Sequence, residues 1–177
     1  MPDPEFIFLG EALWLDLVNT AAAPDRLGDA AAWRRWQKAQ KLRPDSPHVT
    51  FADVLDFRRH LVALATRLAE GAAPPATSVA QVNRWLGGAT ARPRLVRLGG
   101  AWQRTFAADT PPAALAAVAD SVAVTLSDAA AVVRRCDDPV CARFFLELCD
   151  PQRRYYCRPG VCGTGRFVER RRVARRE

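Results

Sequence analysis

The stretch CDDPVCARFFLELCDPQRRYYCRPGVC, residues 136–162, sets how the end of this chain folds. It carries two Cys-x4-Cys pairs, Cys136 with Cys141 and Cys157 with Cys162, separated by fifteen residues. That interval is long enough for a hairpin and short enough to bring four sulfurs together. Four thiolates complete the tetrahedral shell of one Zn2+ and leave no position for substrate, so the spacing predicts a structural metal site. Two disulfides or unconnected buried thiols would fit the same count. Disulfides need an oxidising compartment, however, and the opening MPDPEFIFLGEALWLDLVNT has neither the basic start nor the cleavage site of a secretory signal. Polar turn residues inside each pair (Asp137, Asp138, Pro139; Pro159, Gly160) and the arginines around them favour metal. Cys149 is left over and reads as a small buried apolar group.

Working outward, the local order suggests a turn at Cys136–Cys141, a strand over 144–148, a turn at 151–154 and a second strand at Tyr155-Tyr156. A helix would open at Gly160–Cys162 and continue through Arg166 and Val168. A knuckle, a hairpin and a helix whose first turn supplies the last ligand make a treble clef, and the helix N-terminus stabilises the thiolate placed there.

The 177 residues are 49% hydrophobic, enough for a core, and no apolar run approaches the about 18 residues of a membrane span. A cytoplasmic globular protein is expected. The formal charge is +7, and residues 134–177 hold twelve arginines against six acidic groups. Four thiolates and one divalent cation would add about −2 to that segment. Arginine outnumbers lysine twenty-four to two along the whole chain, a bias that a GC-rich genome also produces, so clustering is the better signal.

In front of the cysteines the pattern is mainly helical. Phe6 and Phe8 alternate before the apolar run Leu13–Val18. Asp29 can cap a helix over about 30–41, with Trp33 and Trp36 on one side. The clearest helix starts near Asp53 and runs to about Glu70, with Val54, Phe57, Leu61, Leu64 and Leu68 in register. Ser78 caps a short helix to about Leu86. Residues 94–107 read as two strands about Gly99-Gly100, a hairpin that should pack on the helices. Pro111 and Pro112 precede a helix extending to about Arg135, lined by Leu115, Val118, Val122, Leu126 and Val133. The expected fold is therefore α+β and mostly helical. Residues 1–133 form a helical domain with a small β-hairpin, and residues 134–177 a treble-clef zinc finger docked rigidly behind it.

Together these features resemble the CGNR zinc-finger proteins with an N-terminal ABATE domain, described as stress-induced transcriptional regulators. The resemblance rests on Phe8-Leu9-Gly10, on Leu15-Asp16-Leu17-Val18-Asn19-Thr20 (an L-D-x-x-N-T signature) and on the cysteine spacing. Phe145-Leu146, Arg153-Arg154 and Cys162-Gly163 add to it. Two segments depart. The motif that names the family reads Cys162-Gly163-Thr164-Gly165, without its Asn and Arg, and Arg166 follows one place later. The acidic-x-Ser-Arg-Asn stretch reads Glu147-Leu148-Cys149-Asp150-Pro151.

The resemblance implies a DNA-binding regulator with one structural Zn2+ and an effector or protein partner for the front domain. Residues 166–177 place six arginines in twelve positions, with only Phe167 and Ala174 aligned as an apolar contact. Such a segment offers guanidinium groups to phosphates. Candidate nucleic-acid contacts are Arg153, Arg154, Arg166, Arg170, Arg171, Arg172, Arg175 and Arg176. A solvated basic tail is the plainer reading. A zinc-stabilised protein-interaction module without nucleic-acid binding is the alternative function. Asp16 and Asn19 could bind a small ligand, although beside a buried apolar run they are better suited to capping backbone groups. Catalysis is not expected. His48 and His60 stand in no motif with a nucleophile or metal ligand, and no glycine loop suits phosphate.

Overall fold

The computed structural model describes residues 5–87, 92–98, 101–107, 113–148, 154–158 and 161–162. The elements in order are α1 (Leu13–Val18), a 3-10 turn (Asn19–Ala21), α2 (Ala30–Ala39), α3 (Phe51–Ala69) and α4 (Ala76–Leu86). They continue with β1 (Arg92–Leu98), β2 (Ala101–Ala107), α5 (Ala114–Ser127), β3 (Ala131–Arg135) and β4 (Phe144–Leu148). This is the expected mostly helical α+β chain. No helix among the described residues is long and apolar enough to cross a membrane.

The long helix α3 explains its own limits. Thr50 Oγ1 accepts from the Asp53 N–H at 3.2 Å, and Asp53 Oδ2 accepts from the Thr50 N–H at 2.9 Å, a reciprocal capping box. Asp53 thus lies inside the helix, three residues past the cap. At the other end Gly71 takes φ +71°, with Gly71 N–H on Leu68 O and Ala72 N–H on Arg67 O, which satisfies two carbonyls of the last turn. Between these caps Val54, Phe57, Leu61, Leu64 and Ala65 are fully buried.

Helix α2 is capped by Asp29, which accepts from the Ala32 N–H at 2.7 Å, and it lays Trp33 and Trp36 into the core as a stacked pair 5.0 Å apart. Helix α5 has no side-chain cap of its own. Its Leu115 N–H is met at 2.9 Å by Asp45, which also accepts from Trp33 Nε1 and Gln37 Nε2, so one loop carboxylate ties α2 to α5. Burial pushes the Asp45 carboxyl up, against the lowering effect of those three donors and of Arg43. Trp14 Nε1 donates to Thr125 Oγ1 and fixes α1 on α5.

Besides the start of α3, which lies at Phe51 and not at Asp53, three expectations change. Ser78 does not cap α4; it sits in the helix, and its hydroxyl donates to His60 O on α3. Helix α5 stops at Ser127, because Asp128 turns extended and its carboxylate accepts from the Ala130 N–H. The β-branched Val132 and Val133 then form β3. Finally, the strand beside β4 comes from before the first cysteine, not from Tyr155-Tyr156, where the described residues hold no strand.

Strands β3 and β4 pair antiparallel from Ala131↔Leu148 to Arg135↔Phe144, so a boundary at 133/134 cuts through β3. The predicted hairpin is present as β1 paired antiparallel with β2, Arg92 opposite Ala107 through Leu98 opposite Ala101. Its side-chain packing, and the helix expected after Cys162, lie outside the described residues. The two faces of the β3–β4 pair part company. Val133, Phe144 and Leu146 join the helical core, whereas Phe145 points the other way, into a small cluster with the cysteines.

Candidate metal centre

The chain from Cys136 to Cys141 bridges β3 and β4 as a tight knuckle. The Cys136 N–H bonds Arg143 O at 2.9 Å, the Cys141 N–H bonds Asp138 O at 2.9 Å, and the Asp138 carboxylate accepts from the Val140 N–H. A second short turn closes at Cys162, whose N–H bonds Arg158 O at 2.9 Å. The two turns are joined by the Asp137 N–H on Tyr155 O at 3.0 Å.

These turns bring Cys136, Cys141, Cys157 and Cys162 together, all buried and all free thiols, with every Sγ within 4.8 Å of the others. Cys157 Sγ lies 3.5 Å from both Cys141 Sγ and Cys162 Sγ. Zinc–thiolate bonds of about 2.3 Å at tetrahedral angles separate sulfurs by about 3.8 Å, within the range seen here. Disulfide sulfurs would stand about 2.05 Å apart. The cluster could therefore hold one metal ion with sulfur alone.

Electrostatics point the same way. Burial raises the Cys157 and Cys162 thiols, Cys162 to about 11, with added resistance from the neighbouring sulfurs. Burial opposes ionisation of Cys141 too, but the Arg143 backbone N–H and the surrounding thiols outweigh it and lower its pKa. Several thiolates cannot gather in so small a volume unless a cation compensates them. Two donors already face the sulfurs: Arg143 NH1 to Cys141 Sγ at 3.4 Å and the Cys157 N–H to Cys136 Sγ at 3.5 Å.

The cluster is clasped to the helical part through the free edge of β4. Asn19 Nδ2 donates to Phe144 O at 2.9 Å, and Asn19 Oδ1 accepts from Phe144 N–H at 2.8 Å. Glu11 Oε2 accepts from Leu146 N–H at 2.7 Å, and its other oxygen takes Arg154. In an antiparallel pair alternate residues face outward, so Phe144 and Leu146 would otherwise carry unpaired groups. Asn19 and Glu11 stand in for a third strand.

Of the remaining candidates, Asp16 is buried and bound by Leu9 N–H at 2.8 Å and Gln40 Nε2 at 3.0 Å. Burial raises its carboxyl pKa despite these donors and that of Gly10, with the Glu11 charge adding to the rise. It organises the turn that delivers Glu11. Arg154 turns inward: it pairs with Glu11, its guanidinium lies 4.3 Å over the Phe145 ring, and its N–H bonds Glu147. Arg153, Arg166, Arg170, Arg171, Arg172, Arg175 and Arg176 lie outside the described residues, as does Cys149. Sequence reasoning did not single out Glu11 or Arg143, since no spacing rule links Glu11 to a strand more than a hundred residues away.

Residues 11–129, 119 of 177, match the ABATE family, described as "Putative stress-induced transcription regulator", and the chain belongs to that family. The clustered cysteines behind the matched segment agree with the CGNR zinc-finger type that the sequence resembles. Among curated proteins none matches this chain.

Proposed function

We propose that this protein is a DNA-binding transcriptional regulator that works in the cytoplasm and has no catalytic activity. In this reading Cys136, Cys141, Cys157 and Cys162 hold one structural Zn2+, and a treble-clef helix beyond Cys162 carries arginines to DNA. The ABATE domain receives the signal. The observation that carries the reading is the closed all-sulfur cluster fastened by Asn19 and Glu11 to a domain of a transcription-regulator family. When bound, the ion neutralises the thiolates and crosslinks the two turns; with four sulfur ligands it offers no open position for chemistry. Arg153, Arg166, Arg170, Arg171, Arg172, Arg175 and Arg176 supply phosphate contacts, which give affinity and register without reading bases.

The test is a salt titration of DNA binding by the metal-loaded chain. Replacing Arg170, Arg171 and Arg172 by Gln should weaken binding and reduce the slope of log affinity against log salt by about 2–3. Unchanged binding moves the interface elsewhere. Absence of DNA binding, together with capture of a protein at a salt-insensitive interface, establishes the interaction-module alternative.

A further inference from the structure

We propose that the cleft between the ABATE helices and the cysteine module binds a small monocarboxylate with a compact apolar body. The cleft has a volume of about 170 Å3. Val18 at the end of α1, Val62 on α3 and Phe144 on β4 give it apolar walls. Thr66 and Arg135 bring the polar groups. Arg135 lies opposite Phe144 in the sheet and therefore on the same face, toward the helices.

Arg135 is exposed, and among the described residues its guanidinium has no hydrogen-bond or ion-pair partner. The other arginines of this sheet region are engaged: Arg134 with Glu147, Arg143 with Cys141, Arg154 with Glu11. An unpaired cation beside an apolar hollow selects one negative group on an apolar frame. A guanidinium fork matches a carboxylate in two parallel hydrogen bonds. The Thr66 hydroxyl already donates to Val62 O, which leaves its oxygen as an acceptor. With the Thr66 proton committed to Val62 O, Arg135 is the one side-chain donor among the lining residues for an anion, too little for a dianionic phosphate. A cavity of about 150 Å3 is known to take benzene, so the size suits a ligand of benzoate or branched short-chain acid dimensions.

The position matters as much as the lining. Arg135 immediately precedes Cys136, Ala142 of the rim immediately follows Cys141, and Phe144 is the residue clasped by Asn19. A carboxylate here would tie the start of the metal knuckle to α3 and add to the hold of the clasp. That the bound acid then alters DNA affinity rests on the regulator reading above; the site itself does not.

Isothermal titration and amide shift mapping on the full metal-loaded chain test the site, using benzoate, 3-methylbutanoate, benzamide and inorganic phosphate. One of the two acids should bind with a dissociation constant on the order of 1 mM or tighter and move the amides of Val62, Thr66 and Phe144. Arg135→Gln should weaken that acid by at least about tenfold and bring it level with benzamide, at unchanged metal content. Ala21→Leu, at the exposed rim, should weaken acid and amide alike. The proposal is overturned if neither acid binds, if Arg135→Gln leaves binding intact, or if phosphate competes equally. A chain that binds the acid but not DNA would fail the regulator reading and keep the site.

Discussion

The helical region and the cysteine module are held by different forces. In the first, α1, α2, α3 and α5 bury Trp14, Trp36, Phe57, Leu61, Leu64, Leu115 and Val118 in one continuous cluster. In the second, the described cluster consists of the four cysteines and Phe145, with Leu9 and Tyr156 partly buried against it. Leu9 itself comes from the N-terminal part. Apolar burial contributes about 25 cal/mol per Å2. Val133, Phe144 and Leu146 bury the other face of the strand pair in the helical core, so the five residues of this cluster are left with the two cysteine turns, whose ordering they offset only in part. The edge held by Asn19 and Glu11 supplies part of the difference, and the four cysteines could hold a metal ion that supplies more. The exposed Val140 and Val161, in the two cysteine turns, underline how little of the module faces inward.

The largest expected effect separates the regions outright. Chelation, or Cys162→Ser, should release the metal and remove hydrogen-exchange protection from the amides of Cys136, Asp137, Cys141, Cys157 and Cys162, while helical circular dichroism from α2, α3 and α5 persists. Structural zinc sites are worth about 10–16 kcal/mol in isolated fingers, so a partial response is not expected. Simultaneous loss of the helices, or no loss of metal, would collapse the distinction.

The converse experiment attacks the helical core. Phe57→Ala deletes a fully buried ring that also packs against Trp85 and should cost about 3–5 kcal/mol in denaturant unfolding. Metal stoichiometry should remain at one per chain under native conditions.

A smaller change tests the seam. Asn19→Ala leaves the Phe144 N–H and C=O without their partner and should destabilise the chain by about 1–3 kcal/mol. Amide exchange should quicken first at Phe144 and Leu146, and metal should leave faster on chelation. Exchange rates unaltered there would mean that the β4 edge does not depend on Asn19.

The mildest effect is a pH dependence. Arg58, almost wholly buried on α3, grips both oxygens of Asp25 at 2.7–2.8 Å, and its hydrogen bonds hold the Asp25 carboxyl below its usual 3.8. A lowered folded pKa contributes stability that is complete above about 3.8 and fades as pH falls through the folded value. Acid should therefore strip the thiolate-bound metal first, by proton competition, and weaken the helical region only in the more acidic range. Asp25→Asn should lessen that later step without changing metal release, the remainder coming from Asp53 and Asp56, which are also lowered.

Much of this was legible in one dimension. The capping signal at Asp29, the periodic apolar face of α3 and the two Cys-x4-Cys pairs act over short spans, so local rules reach them, whereas the pattern puts the start of α3 at Asp53, three residues past its Thr50 cap. The end of α5 was not. Ala131–Arg135 has few marks against helix, and it becomes a strand because β4 offers a partner. Asp16 and Asn19 were recognised as polar groups in an apolar run suited to capping, but their partners could not be named: Asp16 serves the nearby Leu9, whereas Asn19 serves a strand 125 residues on.

The order of residues alone determined that two Cys-x4-Cys pairs could share one ion, that the front would be helical, and that Asp29 would start α2. Each follows from chemistry confined to neighbours in the chain. Tertiary structure alone decided that β4 divides the core from the sulfurs, that Glu11 and Asn19 seal its edge, and that Arg135 is left facing a hollow. Those outcomes depend on which distant backbone groups are still unpaired once the core has closed, and no local pattern encodes that remainder.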